Sequence, residues 1–251
     1  MTNFSARGLF ITGTDTDVGK TFFTAMLARA IRAVGERPGI FKPVCSGAEI
    51  TPDGPVWNDI EVHFNALDGT VDRDRICPQQ FLAPLAPPLA ARAEGRELDQ
   101  AVWRRGLAWW RNNCDWLLVE GVGGFLCPLT DETTIADFAA QVKFPVLVVA
   151  RAGLGTISHT LLTLEAIRAR DLPILGVVLN ETTPATADPS HAENAREIAR
   201  RGNCPVLAEI SYHPQPDLPP LANPSTMPTP LLEPLALGVI LDRARQLAEH
   251  P

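Results

Sequence analysis

Short apolar runs alternate along the chain with longer stretches in which apolar residues recur at helical spacing. The runs contain few polar positions, which is typical of parallel strands that helices cover on both faces. They comprise residues 9–12, 39–42, 116–119, 146–149, 175–179 and 205–208. The helical stretches comprise residues 20–34, 99–113, 134–142, 156–170 and 191–201. This alternation predicts a doubly wound α/β fold with a mostly parallel sheet and helices on both faces.

Two proline-rich stretches interrupt the alternation. Residues 77–95 contain several prolines, and the sequence predicts a long loop there rather than a helix. Prolines also recur between Tyr212 and Pro234, which argues against regular structure in that segment. A last helix is predicted beyond it, with one apolar face formed by Leu237, Ile240, Leu241, Ala244 and Leu247. Because the strand pattern spans the whole chain, residues 1–251 are interpreted as one domain.

Composition and charge narrow the class of protein. The chain has 251 residues, of which 45% are apolar and 20% charged, so it can bury a large core without disulfides or structural metal. No run approaches the roughly 20 apolar residues of a membrane-spanning helix, and the start of the chain does not resemble a signal peptide, so a cytoplasmic location is expected. A net charge of −7 without a basic patch argues against a nucleic-acid or membrane partner. The scattered cysteines are predicted to be buried thiols.

Residues 13–21 carry the strongest signal for chemistry, with the sequence Gly13-Thr14-Asp15-Thr16-Asp17-Val18-Gly19-Lys20-Thr21. They lie between the first predicted strand and the first helix, where a phosphate-binding loop belongs. Backbone N–H groups there would converge on phosphate oxygens, while Lys20 would reach the β- and γ-phosphates and the Thr21 hydroxyl would bind Mg²⁺. The glycines are separated by five residues instead of the common four, so either the loop is longer or Thr14 replaces the first glycine. The pattern predicts nucleotide binding.

A second lysine, Lys42, comes at the end of the second predicted strand. Ligands of parallel sheets bind beyond the carboxyl ends of the strands, so Lys42 is placed to stabilise charge on a phosphoryl group during transfer. From its position alone, it is equally well interpreted as a surface lysine at a strand end.

Two acidic residues are candidates for holding Mg²⁺. Glu120 is predicted to end the third strand, just before Gly121-Val122-Gly123-Gly124, and the glycines would let a ligand approach the backbone closely. Asp59 precedes a short predicted helix and, from the residues alone, is more simply interpreted as the N-cap of that helix.

Two later strand ends are open to more than one interpretation. The turn at Gly155-Thr156 begins a helix whose N-terminus suits a carboxylate, but it is also consistent with a plain turn capped by Thr156. Asn180-Glu181 ends the next strand. The Asn180 amide there would form hydrogen bonds with the edge of an adenine base, or it is an ordinary polar residue at a strand end.

Taken together, these motifs resemble the ATP-dependent dethiobiotin synthetase family. The resemblance rests on residues 12–21, 42–47, 119–124, 155–160 and 176–180, in family order. The family's own phosphate loop has the longer glycine spacing. The resemblance implies a P-loop NTPase-like fold and a step of biotin biosynthesis, in which 7,8-diaminononanoate, CO2 or bicarbonate, and ATP give dethiobiotin, ADP and phosphate.

The same resemblance implies roles for individual residues. Lys42 and Lys20 would be catalytic, and the Mg²⁺ ligands would be Thr21, Asp59 and Glu120. The residues implied in ATP binding are Asp17, Val18, Gly19, Lys20, Thr21, Phe22, Asp59, Glu120, Gly121, Val122, Gly123, Asn180 and Glu181, with residues 211–213 near the adenine. The substrate would contact Ser46, and its carboxylate would bind Gly155 and Thr156 of a neighbouring subunit in a homodimer. Ser158 stands where the family often has Asn, and Glu181 where Asp is common.

Two other classes of protein share parts of this pattern. P-loop switch ATPases of the partitioning or maturation type act through a protein partner, but they typically have an additional lysine where this chain has Thr14 and Asp where it has Glu120. Amide-forming ligases of cobyrinate synthesis need a glutaminase domain, for which 251 residues leave no room. The synthetase is therefore favoured over both classes.

Overall fold

The computed structural model describes residues 7–183, 191–212 and 234–249. In chain order, its strands are β1 (Arg7–Gly13), β2 (Pro38–Phe41), β3 (Cys45–Ser46), β4 (Glu49–Thr51), β5 (Gly54–Val56), β6 (Gln80–Phe81), β7 (Trp116–Gly124), β8 (Val146–Arg151), β9 (Ile174–Asn180) and β10 (Val206–Ile210). A six-stranded sheet has the order β10-β9-β8-β1-β7-β2, and all neighbouring strands in it are parallel. The predicted parallel sheet is therefore confirmed.

Helices surround this sheet. They are α1 (Lys20–Ala33), α2 (Asn58–Ala66), α3 (Arg73–Ile76), α4 (Pro87–Ala93), α5 (Gln100–Asn113), α6 (Ile135–Val142), α7 (Thr156–Arg168), α8 (His191–Gly202) and α9 (Pro234–Glu249). The long helices predicted from periodicity correspond to α1, α5, α6, α7, α8 and α9. None of the helices in the described residues is both long enough and apolar enough to cross a bilayer.

The prediction of a continuous loop over residues 77–95 was wrong. Strand β6 pairs in parallel with β3, and α4 follows with Pro87 and Pro88 in its first turn. Proline is tolerated there because the first N–H groups of a helix have no carbonyl partner within the helix, and its fixed φ suits the helical backbone. These prolines begin a helix instead of breaking one. The predicted irregular segment between Tyr212 and Pro234 lies outside the described residues.

The order of the central strands positions the residues of the candidate site. β1 leads into the phosphate loop, and β7 lies between β1 and the edge strand β2. Phe41 pairs with Val119, so Lys42 leaves β2 at the level of Glu120. The carboxyl ends of three adjacent strands therefore bring the loop, Glu120 and Lys42 to one edge of the sheet.

The sequence predicted that Glu120 ends its strand. This prediction was wrong, because β7 continues to Gly124. The register of β7 against β1 shifts after the pair Ile11–Glu120, and the next pair is Gly13–Gly124. A Cβ atom on Gly124 would lie 3.3 Å from the carbonyl oxygen of Thr14. The missing side chain lets this backbone continue beside the phosphate loop. Glu120, earlier in the same strand, is completely buried.

Candidate active site

The phosphate loop connects β1 to α1 and is braced by the end of β9. Asp17 and Gly19 have left-handed backbones, with φ of 56° and 94°. Asn180 Nδ2 donates a hydrogen bond to the Val18 carbonyl at 3.0 Å, and Lys20 Nζ donates to the Asp15 carbonyl at 2.9 Å. A Cβ atom on Gly19 would lie only 2.2 Å from Asn180 Nδ2. The structure thus brings the predicted loop residues and Asn180 into direct contact.

Lys42 is buried between two carboxylates. Its Nζ donates hydrogen bonds to Asp59 Oδ2 and, at 2.8 Å, to Glu120 Oε1. The same Oε1 accepts a hydrogen bond of 2.9 Å from the Thr21 hydroxyl at the start of α1. The sequence offered a surface lysine as an alternative for Lys42, and that alternative is wrong, because its side chain is only 4% exposed.

Opposite charges control the electrostatics of this cluster. Burial by itself would lower the pKa of Lys42, but the carboxylates of Asp59 and Glu120 outweigh burial and hold that pKa well above its ordinary value. Burial would likewise raise the pKa of Glu120, yet Lys42 and His63 hold it well below its usual range. Lys20 differs from Lys42, since burial and the charge of Lys42 together lower its pKa. Lys42 and Glu120 therefore form a charged pair at neutral pH.

Asp59 is not the N-cap of α2. The residue before the helix is Trp57, whose side chain makes no cap hydrogen bond, and Asp59 lies in the first turn with its carboxylate on Lys42. The Trp57 indole N–H donates to the Phe81 carbonyl at 2.8 Å, which ties the start of α2 to β6. This packing directs the first turn of α2 toward the strand ends, so the N-cap interpretation is wrong.

His63, which was not predicted from the sequence, lies on α2 one turn after Asp59. Its imidazole is fully buried, and its Nε2 lies 3.0 Å from Glu120 Oε2. The spacing of Asp59 and His63, four residues apart in a short helix, is a signal in the sequence that would place both on one helix face. That signal does not reveal that the face meets Lys42 and Glu120.

The donor groups at this edge fit a hard divalent cation. Thr21 supplies a hydroxyl, while Asp59 and Glu120 supply carboxylates, and Mg²⁺ in nucleotide sites commonly takes such oxygen ligands together with phosphate oxygens and water. In the described residues, no group of three or more His, Cys, Asp or Glu side chains has the arrangement of a metal site. The oxygen set therefore suits a cation that arrives with a nucleotide better than a cation held by protein alone.

A cleft of about 740 Å³ opens beside these residues. One side is the phosphate loop with Phe22, and the other includes Ser46 and the segment before α4. The Ser46 hydroxyl donates to the Leu85 carbonyl at 2.8 Å, which joins β3 to that segment. The described residues that line the cleft include Lys20, Lys42, Asp59, Val122 and Gly123, so most predicted site residues share one cavity.

Seven of the predicted site residues do not line this cleft, namely Val18, Glu120, Gly121, Gly155, Thr156, Asn180 and Glu181. Gly155 is the N-cap of α7 with φ of 91°, and Thr156 is buried in the first turn, so the interpretation of Thr156 as the cap is wrong. The Glu181 carboxylate accepts a hydrogen bond of 3.0 Å from the Tyr212 backbone N–H. Residue 213, expected near the adenine with residues 211 and 212, lies outside the described residues.

Comparison with known proteins identifies the family. A family model described as an AAA domain matches residues 7–219. The chain is 48% identical over 208 residues to the ATP-dependent dethiobiotin synthetase BioD of Anaeromyxobacter dehalogenans, covering 83% of this chain and 91% of that protein. It is 37% identical to ATP-dependent dethiobiotin synthetase BioD 1 of Escherichia coli K12, with coverage of 82% and 91%.

Solved structures show the same fold at low sequence identity. The MinD cell division protein of Aquifex aeolicus superposes with a TM-score of 0.52 at 16% identity and 98% coverage of both chains. The cell division ATPase MinD of Pyrococcus furiosus gives 0.53 at 18% identity, covering 96% of this chain and 99% of that one. These likenesses concern the fold alone, whereas the sequence relatives share one name and most of their length. The chain belongs to the ATP-dependent dethiobiotin synthetase family.

Proposed function

We propose that this chain synthesises dethiobiotin from 7,8-diaminononanoate, CO2 and ATP, and that the cluster around Lys42 carries out the phosphoryl transfer. The observation that carries the assignment of the site is the position of Lys42, which is buried beside the phosphate loop and hydrogen-bonded to Glu120. Family membership supports the reaction, and the geometry of the cluster supports the residue roles. We infer that residues 1–251 act as one domain, and a cytoplasmic location stays a prediction.

The proposed reaction has three steps. One amine of the substrate adds to CO2 and loses a proton, which gives a carbamate. A carbamate oxygen then attacks the γ-phosphorus of ATP, so that ADP leaves and a carbamic–phosphoric anhydride forms. The second amine attacks the carbonyl carbon of this anhydride, phosphate leaves with the bond electrons, and loss of the amine proton completes the cyclic urea.

The second step needs positioning and charge stabilisation more than it needs a general base. Lys42 has three N–H donors, of which Asp59 and Glu120 accept two within the described part of the chain, so the third is available to a phosphoryl or carbamate oxygen. Lys20 borders the same cleft from the phosphate loop. We infer that the two lysines stabilise the charge on the group in transfer, as preorganised cations do in such sites.

We further propose that Mg²⁺ accompanies ATP and is held by Thr21, Asp59 and Glu120. When bound, the ion would neutralise charge on the β- and γ-phosphate oxygens. The hydrogen bond between Thr21 and Glu120 supports this assignment, because it keeps two of the three oxygen donors within 2.9 Å of each other. Backbone N–H groups of the loop bind the phosphates, and the proposed ATP contacts further include Asp17, Val18, Gly19, Phe22, Gly121, Val122, Gly123, Asn180 and Glu181.

The substrate and a second subunit complete the proposed site. Ser46 lines the cleft and would contact the diamine. Gly155 and Thr156 would bind the substrate carboxylate from the partner copy in a homodimer. An exposed apolar surface supports an interface there, since Leu154 is 88% exposed beside Gly155, and Leu126 and Leu162 are exposed at a second cavity of about 400 Å³.

Phosphate release from Mg-ATP and bicarbonate, measured with and without 7,8-diaminononanoate, tests the proposed reaction. We expect release to depend on the diamine and the product to have the mass of dethiobiotin. Slow hydrolysis that ignores the diamine would contradict the synthetase and favour a switch ATPase. Glu120→Gln tests the metal assignment: it should raise the Mg²⁺ concentration needed for half-maximal rate, and an unchanged Mg²⁺ titration would exclude Glu120 as a ligand.

A further inference from the structure

Helix α2 presents two polar side chains to the active site from one face. Asp59 and His63 are four residues apart, which places them one above the other on the helix. Asp59 contacts Lys42 from β2, while His63 contacts Glu120 from β7. A single short helix therefore meets both members of the buried charged pair.

The two oxygens of Glu120 have different surroundings. Oε1 accepts hydrogen bonds from Thr21 at 2.9 Å and from Lys42 at 2.8 Å, so it points to the phosphate loop and the cleft. Oε2 points the other way, and its neighbour in the described part of the chain is His63 Nε2 at 3.0 Å, which is ion-pair distance without hydrogen-bond geometry. The orientation of the carboxylate thus depends on what lies at Oε2.

His63 has no other polar partner among the described residues. Its side chain is fully buried, and neither Nδ1 nor Nε2 makes a hydrogen bond of good geometry there. A buried imidazole without partners is costly, since both nitrogens have been removed from water. Apolar packing alone would be served better by leucine, so the contact with Glu120 is the feature that a histidine adds at this position.

We propose that His63 is a positioning residue, which holds Glu120 Oε2 through its Nε2–H and so keeps Oε1 directed at Thr21 and Lys42. The inference rests on the proposed role of Glu120 as a Mg²⁺ ligand. A neutral imidazole with the proton on Nε2 suffices for this bond, and only a small ring rotation is needed at 3.0 Å. Loss of a group that hydrogen-bonds to a metal ligand typically lowers metal affinity or activity by about 10- to 100-fold.

Two substitutions separate positioning from packing. His63→Leu fills a similar volume without a donor, whereas His63→Gln provides an amide N–H in place of Nε2–H. Binding of fluorescent ADP at increasing Mg²⁺ is measured for both. We expect His63→Leu to raise the half-saturating Mg²⁺ concentration about 10-fold or more, and His63→Gln to recover most of the affinity. In the synthetase assay, kcat should fall at fixed Mg²⁺ while KM for the diamine stays unchanged.

Leu67→Ala provides the matched control, because Leu67 is buried just after α2 and packs in the apolar core. It should lower the melting temperature of the ligand-free protein without moving the Mg²⁺ titration. An unchanged titration in His63→Leu, or the same shift in Leu67→Ala, would overturn the positioning role. If His63→Leu does not fold, failure of His63→Gln to bind ADP with near-normal Mg²⁺ dependence would overturn it as well.

A double-variant cycle separates this inference from the proposed function. If His63 acts through Glu120, His63→Leu should add little to the Mg²⁺ shift of Glu120→Gln, whereas independent roles would give additive shifts. The proposed function fails if the unaltered chain forms no dethiobiotin. The positioning role fails separately if the unaltered chain is active and His63→Leu leaves the Mg²⁺ titration unchanged.

Discussion

Lys42→Met should destabilise the protein as well as inactivate it, because Lys42 is buried between charges of opposite sign. The substitution keeps most of the side-chain volume and removes the ammonium group. Glu120 is fully buried, and among the described residues its remaining close contacts would be His63 and the Thr21 hydroxyl. Asp59 is 38% exposed and can recover hydration, so most of the cost falls on Glu120.

The magnitude follows from breaking a buried ion pair. Removing one partner typically costs about 3–5 kcal/mol, against a total stability of about 5–15 kcal/mol for a folded domain. In a protein of this size, each kcal/mol lowers the melting temperature by roughly 2–4 °C. We therefore expect Lys42→Met to melt about 6–20 °C below the unaltered protein. Loss of the cation should also lower diamine-dependent phosphate release by about 10²- to 10³-fold.

Calorimetric melting without nucleotide measures the stability effect. Lys143→Met is the matched control, since it makes the same chemical change at an exposed residue and should alter the melting temperature little. The double variant Lys42→Met/Glu120→Gln removes both charges, so it should be more stable than Lys42→Met alone. A melting temperature for Lys42→Met within about 2 °C of the unaltered protein would refute the buried-pair reasoning, because it corresponds to at most about 1 kcal/mol.

Three further predictions concern the loop, acid stability and the interface. Gly19→Ala should abolish nucleotide binding in a fluorescent-ADP titration, because its Cβ atom would displace Asn180; near-normal affinity would exclude this contact. Lys42 holds the folded-state pKa of Glu120 below its ordinary 4.5, so ionised Glu120 stabilises the folded state. This contribution is complete above pH 4.5 and is lost as the pH falls toward the folded-state pKa. Between about pH 5 and pH 2, the melting temperature of Glu120→Gln should therefore fall less than that of the unaltered protein. Equal slopes of melting temperature against pH would contradict the lowered pKa. Leu154→Arg places a charge in the proposed interface, so this variant should be monomeric in light scattering. A variant that remains dimeric would show that Leu154 is not in the interface.

The sequence predicted the parts of the fold that local pattern controls. The phosphate loop was found because Gly19, Lys20 and Thr21 occur together between a strand and a helix, and the strands were found because they are apolar on both faces. The prolines at the start of α4 misled the prediction, since a proline that breaks a helix and a proline that begins one have the same local signal.

The pairing of the site residues was beyond local pattern. Asp59 was interpreted as an N-cap because its neighbours suggest a helix start, and only the docking of Trp57 on β6 turns its carboxylate to Lys42. His63 carries no recognisable motif, and its contact with Glu120 arises only where α2 brings His63 Nε2 within 3.0 Å of Glu120 Oε2. Contacts between residues 57 positions apart, such as His63 and Glu120, need the three-dimensional structure.

The charges of the cluster explain why a divalent cation and the nucleotide should bind together. The positive charges of Lys20 and Lys42 offset the negative charges of Asp59 and Glu120. A bare triphosphate would then place several negative charges beside two carboxylates, one of them fully buried. Under the proposed function, Asp59 and Glu120 would hold a divalent cation, whose charge would offset this repulsion. The two acids would thus make nucleotide binding depend on metal, and the charge of Lys42 would keep both carboxylates ionised.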